Sequence, residues 1–172
     1  SWHRTLHTNV MGVVHGLRCF LPMMHTAGGV RRVVNVASVA GIAPAPNMSA
    51  YAASKSAVIG LSESVSLELR LCESQVGMTV VCPGIINTAI TRDTRNVAPG
   101  SGADQLARLQ AFYAAKGAKA EIVADAIVRA VKSGHELVLV GPFARLLYHL
   151  RRLSRSLLQK VVLIDARKMG YD

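Results

Sequence analysis

Two residues one helical turn apart, Tyr51 and Lys55 in the run Tyr51-Ala52-Ala53-Ser54-Lys55, have the types and spacing to move a proton. At positions i and i+4 of a helix both side chains leave from one face and can serve one site. A free tyrosine phenol, with a pKa of about 10, is a poor acid or base at neutral pH. An ammonium group close by favours the phenolate and lowers that value. Such a pair can exchange a proton with an alcohol or carbonyl oxygen. Read alone, the pattern more often marks a half-buried tyrosine beside a solvated lysine, so its neighbours must decide.

The elements that would position the pair can be read from periodicity. Residues 2–25 have Leu6, Val10, Val13, Val14, Leu17, Phe20 and Leu21 at helical spacing, and Gly28-Gly29 stops the helix. Val33-Val34-Asn35-Val36-Ala37 is a short β-branched run of the kind found in buried parallel strands. A loop with Pro44 and Pro46 follows, then a helix over 49–73 with Leu61, Val65 and Leu69 on one face. A second strand, 77–82, ends at Pro83-Gly84. A polar loop is expected over 85–102, helices over 103–115 and 120–132, and a third strand over 136–140. A last helix over 143–164 has Leu146, Leu150, Leu153 and Leu157 as its stripe. Strands alternating with helices predict an α/β fold with a parallel sheet covered on both faces.

Ser38 stands just past the first strand, at the carboxyl end where open α/β sheets hold their ligands. Its hydroxyl could donate to a substrate oxygen and orient it toward the phenol. The plainer alternative is a serine that ends a strand or caps a turn.

These residues together resemble the short-chain dehydrogenase/reductase family. Asn35-Val36-Ala37-Ser38-Val39-Ala40-Gly41 is similar to the segment around its catalytic serine, and the spacing from Ser38 to Tyr51-Ala52-Ala53-Ser54-Lys55 also matches. Asn9, in Thr8-Asn9-Val10-Met11-Gly12, looks like the asparagine of the family's tetrad. Pro83-Gly84-Ile85-Ile86-Asn87-Thr88 is similar to its segment after the sixth strand. The resemblance implies an NAD or NADP cofactor and an alcohol or carbonyl substrate, with substrate choice in a lid expected over 90–113, whose Ala, Leu, Phe112 and Tyr113 suggest a lipophilic one. Tyr51 would be the general acid or base. Lys55 would lower its pKa and bind the nicotinamide ribose. Ser38 would hold the substrate oxygen, and Asn9 would fix a proton-relaying water. Pro83, Gly84, Ile86 and Thr88 would line the cofactor, with the Ile86 backbone and Thr88 at the carboxamide. The resemblance also implies a homodimer or homotetramer of the full-length protein through the two long helices, whose apolar content would suit a monomer core equally.

The resemblance covers the C-terminal part of the family's domain. No G-x-x-x-G-x-G or G-x-G-x-x-G stands in the chain, and such a turn is what brings the pyrophosphate to a helix N-terminus. The expectation is therefore an incomplete Rossmann-type doubly wound sheet, holding the family's last three strands, in a fragment inactive by itself. Residues 1–142 would form that portion and 143–172 a basic amphipathic helix and tail. The alternative is a truncated, non-catalytic interaction module.

Composition narrows the classes further. Among 172 residues 51% are apolar and 5% aromatic, which suits a globular domain. No apolar run approaches the roughly 20 residues that span a bilayer. Cys19, Cys72 and Cys82 are odd in number and lack metal-ligand spacing, so reduced core thiols in a cytoplasmic protein are expected, with no metal. The net charge of +10 is concentrated in a C-terminal stretch with Arg145, Arg151, Arg152, Arg155 and Lys160 and no acid among them. No aromatic-interleaved basic surface accompanies it, so nucleic acid is not expected. Two readings of 143–164 remain: a helix docked by its leucines with solvated arginines, which is favoured, or a peripheral contact with anionic membrane.

Overall fold

The computed structural model describes residues 1–89 and 103–168. The part of the expected 85–102 loop and 90–113 lid that falls on 90–102, and the tail 169–172, lie outside the described residues. The first helix runs as α1 (Trp2–Leu6), a π-helical segment (His7–Met11) and α2 (Gly12–Thr26). Both junctions, Leu6 and Met11, keep helical dihedrals, so this is one rod with a widened turn. Strand β1 (Arg31–Val36) leads into a 3-10 turn (Val39–Gly41) and then into α3 (Ser49–Leu71). Strand β2 (Val76–Pro83), α4 (Ala103–Lys116), α5 (Glu121–Ser133) and β3 (Leu137–Val140) follow. The strands pair in parallel in the order β1-β2-β3, with Arg31 opposite Val76 and Val80 opposite Leu137.

The parity of the strands divides the core. Ala37, Val80 and Cys82 pack with Val58 of α3, while Val13, Ile42, Ile59, Leu137 and Leu139 surround them. Thr79 and Val81 must then point to the opposite face, where the α5 end lies: Thr79 Oγ1 donates to the His135 carbonyl at 2.7 Å. Arg32 joins that side, donating to the Met78 carbonyl at 2.8 Å and to Thr79 Oγ1 at 3.1 Å.

Three expectations need correction. On α3 the buried stripe is Ser54, Val58, Ser62 and Ser66, at i, i+4, i+8 and i+12, whereas Leu61, Val65 and Leu69 are only half-buried. Small hydroxyls let the helix approach the sheet and satisfy their own donors: Ser62 Oγ bonds the Val58 carbonyl at 2.7 Å and accepts from buried Asn35 at 3.0 Å. The single helix expected over 143–164 is two, α6 (Ala144–Leu153) and α7 (Arg155–Lys168). Ser154 breaks it, with φ −158° and ψ 120°, and its hydroxyl caps α7 by accepting from Leu157 N–H at 3.2 Å. Of the expected leucine stripe, Leu146, Leu153 and Leu157 are exposed, and Leu158 is buried instead. Finally, only Cys82 is a core thiol; Cys19 and Cys72 are exposed.

Candidate active site

The carboxyl ends of β1 and β2 and the start of α3 meet at one edge of the sheet. Strand β1 ends at Val36, and Ala37 N–H still bonds the Val81 carbonyl at 2.7 Å, so Ser38 leaves the sheet from a fixed point. Ser38 then caps the 3-10 turn, its Oγ accepting from Ala40 N–H at 3.1 Å. The turn-capping reading of this serine is therefore the one observed. Its oxygen serves the turn, and its proton remains available to a neighbour. That neighbour is Tyr51, whose phenol feels a hydrogen bond from Ser38.

The 3-10 turn sits directly on α3. A Cβ at Gly41 would lie 2.7 Å from the Lys55 carbonyl carbon and 2.8 Å from Ser56 nitrogen. Ser56 Oγ also donates to the Gly41 carbonyl at 2.7 Å. The absence of a side chain at 41 is what lets the turn bearing Ser38 meet the helix bearing Tyr51 and Lys55.

Lys55 Nζ donates to the Val36 carbonyl at 3.0 Å and stands 5.7 Å from the centroid of the Tyr51 ring. Burial lowers the lysine's pKa below its ordinary value, against a smaller opposing influence of Cys82. The Tyr51 phenol is moved the other way. Burial raises its pKa, and the hydrogen bond from Ser38 offsets this only in part. The expected depression by Lys55 is not found, because removing the phenolate from water dominates. At neutral pH the phenol is thus held protonated, and burial makes it a weaker acid than the free group.

Asn9 falls in the π-helical segment, where a widened turn re-aims side chains. Its Nδ2 donates to Ser54 Oγ at 3.0 Å, and that hydroxyl donates to the Tyr51 carbonyl at 2.7 Å. The asparagine therefore reaches α3 through Ser54, which is fully buried. In the sequence Ser54 stands out only as part of the Tyr51–Lys55 run. Its signal lay in the i+4 series of small residues that it opens.

Below the site lies Cys82, fully buried, which accepts a hydrogen bond from the Ser38 backbone N–H. Burial pushes its thiol up to about 11, and Glu63 adds to this while Ser38 and Lys55 pull it back. Sequence reasoning treated it as a core thiol and had no signal for its contact with Ser38.

The segment after β2 closes the far side. Gly84 N–H bonds the Val140 carbonyl at 2.8 Å, and a Cβ at Gly84 would lie 2.0 Å from the Pro142 oxygen. Only glycine permits that crossing after Pro83. Ile86 bridges Ala118 in parallel, through the Ile85 carbonyl at 3.0 Å and the Asn87 N–H at 2.9 Å. In such a bridge the central residue's own N–H and C=O point away from the partner strand. Thr88 is half-buried just beyond. Asn9, Ser38, Tyr51 and Lys55 thus form one connected group, with Pro83, Gly84, Ile86 and Thr88 on the neighbouring segment.

Comparison with known proteins bears on the same residues. The probable oxidoreductase EphD of Mycobacterium bovis is 36% identical over 157 residues, which are 89% of this chain and 26% of that protein. The putative oxidoreductase SadH of Mycobacterium tuberculosis is 33% identical over 96% of this chain and 59% of its own length. The chain thus spans about a quarter of the first relative and under two thirds of the second. A short-chain dehydrogenase/reductase from Burkholderia phymatum, solved in complex with NAD, superposes with a TM-score of 0.78 at 32% identity, covering 91% of this chain and 59% of that one. A Burkholderia cenocepacia short chain dehydrogenase solved with NADP, at 24% identity and a TM-score of 0.73, covers 95% of this chain and 59% of its own, and shows the fold alone. The parallel sheet is thus part of a Rossmann-type fold. The model of the short chain dehydrogenase family matches residues 1–99, which include Asn9, Ser38, Tyr51, Lys55 and the whole Pro83–Thr88 segment, and the chain belongs to that family.

Proposed function

We propose that this chain carries the catalytic part of an NAD- or NADP-dependent oxidoreductase that interconverts an alcohol and a ketone or aldehyde. The observation that carries the reading is the convergence of Ser38, Tyr51 and Lys55 at the carboxyl ends of β1 and β2. Tyr51 gives its proton to the carbonyl oxygen in reduction and takes it back in oxidation. Ser38 donates to the same oxygen and keeps it against the phenol. A bound nicotinamide supplies or accepts the hydride at the carbon.

The residues present fit the nicotinamide end of such a cofactor. Ile86 offers a donor and an acceptor with no backbone partner among the described residues, which complements a primary carboxamide. Lys55 uses one of its three hydrogens on Val36, leaving donors for a ribose hydroxyl. The pyrophosphate has no comparable cradle in the sequence, so the 172-residue chain alone is inactive. Residues 1–142 hold this catalytic portion and 143–172 an appended basic segment. Half-buried Phe112 and Tyr113 on α4, edge to face at 6.1 Å, favour a lipophilic substrate. Exposed Phe20, Met23 and Leu67 on α2 and α3 favour a homodimer or homotetramer built on those helices. Two exposed free thiols favour a reducing, cytoplasmic setting.

The test measures NADH and NADPH oxidation against a panel of lipophilic ketones and aldehydes. It uses the 172-residue chain and the longest open reading frame that contains it. Activity is expected from the longer product only, and Tyr51→Phe should lower kcat by at least about 100-fold. Turnover by the 172-residue chain would overturn its incompleteness. Full activity of Tyr51→Phe would overturn the role of the phenol.

A further inference from the structure

The segment 144–168 holds seven basic residues against a single acid, Asp165. It also leaves large apolar side chains in water: Leu146 is 62% exposed, Leu153 79% and Ile164 55%. Within each helix the two features share a face. On α6, Arg145, Leu146, His149, Arg152 and Leu153 are all exposed and fall at i, i+1, i+4, i+7 and i+8, one outward arc of a helix. On α7, Leu157, Val161 and Ile164 follow at i, i+4 and i+7, with Lys160 and Arg167 beside the ridge. The opposite side of α7 is its docked side, with Leu158 and Ala166 buried eight residues apart.

We propose that this face docks on an anionic lipid membrane, with the apolar ridges in the interface and the basic flanks on the headgroups. An amphipathic helix lying in the interface plane needs this combination of apolar ridge and cationic flanks. Charge complementarity selects the occupant. A second copy meeting this face isologously would set each basic flank against its own image. An anionic leaflet meets it with the opposite sign. The contact is peripheral, because among the described residues no helix is long and apolar enough to cross a membrane. None of the residues of the catalytic group takes part, so this proposal stands apart from the redox chemistry.

The test is co-sedimentation of the 172-residue chain with phosphatidylcholine vesicles, with and without phosphatidylglycerol. Binding is expected with the anionic vesicles only, and it should weaken in high salt. Reversing Arg145, Arg152, Lys160 and Arg167 to Glu should reduce binding by at least about 100-fold, since each such charge contributes about fivefold. Leu157→Ser with Val161→Ser and Ile164→Ser should also reduce it, with net charge unchanged. Leu146→Ala with Leu153→Ala is the second variant should α7 lose its helicity by circular dichroism. No sedimentation with anionic vesicles at low salt would overturn the proposal. So would unaltered binding of the folded apolar variants, which would reduce the effect to general attraction of a +10 protein. Self-association abolished by the apolar variants, with no vesicle binding, would assign the face to a second copy.

Discussion

At the level of single residues, the site is a contest between burial and polar partners. Tyr51 and Cys82 both lose water, and in both the neutral form gains. Cys82 gives a measurable consequence. Its thiol stands at about 11 in the folded chain against 9.0 for the free group. Between those values the folded protein holds a proton that the unfolded chain has released, so stability must fall as pH rises through the window. Full stability is present below pH 9 and this contribution is lost by about pH 11. The loss is on the order of 3 kcal/mol, at about 1.4 kcal/mol per pKa unit. Urea unfolding in reductant across that range should show the decline, and Cys82→Ala should make it shallower, leaving the part that Tyr51 adds, even if that variant is less stable throughout. An equal slope in Cys82→Ala would place the titration elsewhere. Residue type and spacing single out Ser38, Tyr51 and Lys55 as candidates in the sequence, and the family resemblance adds Asn9; the structure brings the four together. Ser54 and Cys82 were not legible there, since their roles come from contacts made across 45 residues and across a strand end.

At the level of elements, the site depends on how closely two of them meet. The 3-10 turn delivers Ser38 and α3 delivers Tyr51 and Lys55, and the contact between them passes through Gly41. Gly41→Ala should force the turn away from the helix and cost about 1–3 kcal/mol, the usual range for an overpacked contact. Gly60→Ala is the control. Gly60 lies within α3 with nothing within 4 Å of an added Cβ. There the change should be stabilising by up to about 1 kcal/mol, through helix propensity. Thermal unfolding of the two variants should therefore move in opposite directions, and parallel shifts would remove Gly41 from its role. The same closeness explains an error of pattern reading. Leu61, Val65 and Leu69 mark an apolar stripe, yet α3 turns serines toward the sheet because Asn35 needs a partner there and small side chains admit the approach. Element boundaries were otherwise legible from Gly, Pro and β-branched runs. The break at Ser154 was not, since a lone serine inside a leucine repeat reads as surface until its cap is seen.

At the level of the whole molecule, β1 is the last strand on its side of the sheet among the described residues. Arg31 N–H and Ala37 N–H turn inward to the Gln75 and Val81 carbonyls, and the alternation of a parallel ladder assigns Val33 and Asn35 to the same side. Arg32, Val34 and Val36 must direct their N–H groups outward. On that outer side the Val36 carbonyl accepts from Lys55 Nζ. Beside the edge, Gly12, Gly16, Phe20 and Val33 line an apolar groove of about 260 Å³. Such an edge is a template for another strand. An order of exchange follows for the 172-residue chain at low concentration. Val33 and Asn35 amides should be protected, while Arg32, Val34 and Val36 amides should exchange at rates close to those of exposed loops. Residue-resolved hydrogen exchange by NMR checks this directly. Uniform protection along β1 at all concentrations would mean that the edge is closed within the chain. Protection of the outward set that appears only as concentration rises would mean that two copies pair there, and that β1 is the surface through which this half-sheet seeks the rest of a fold.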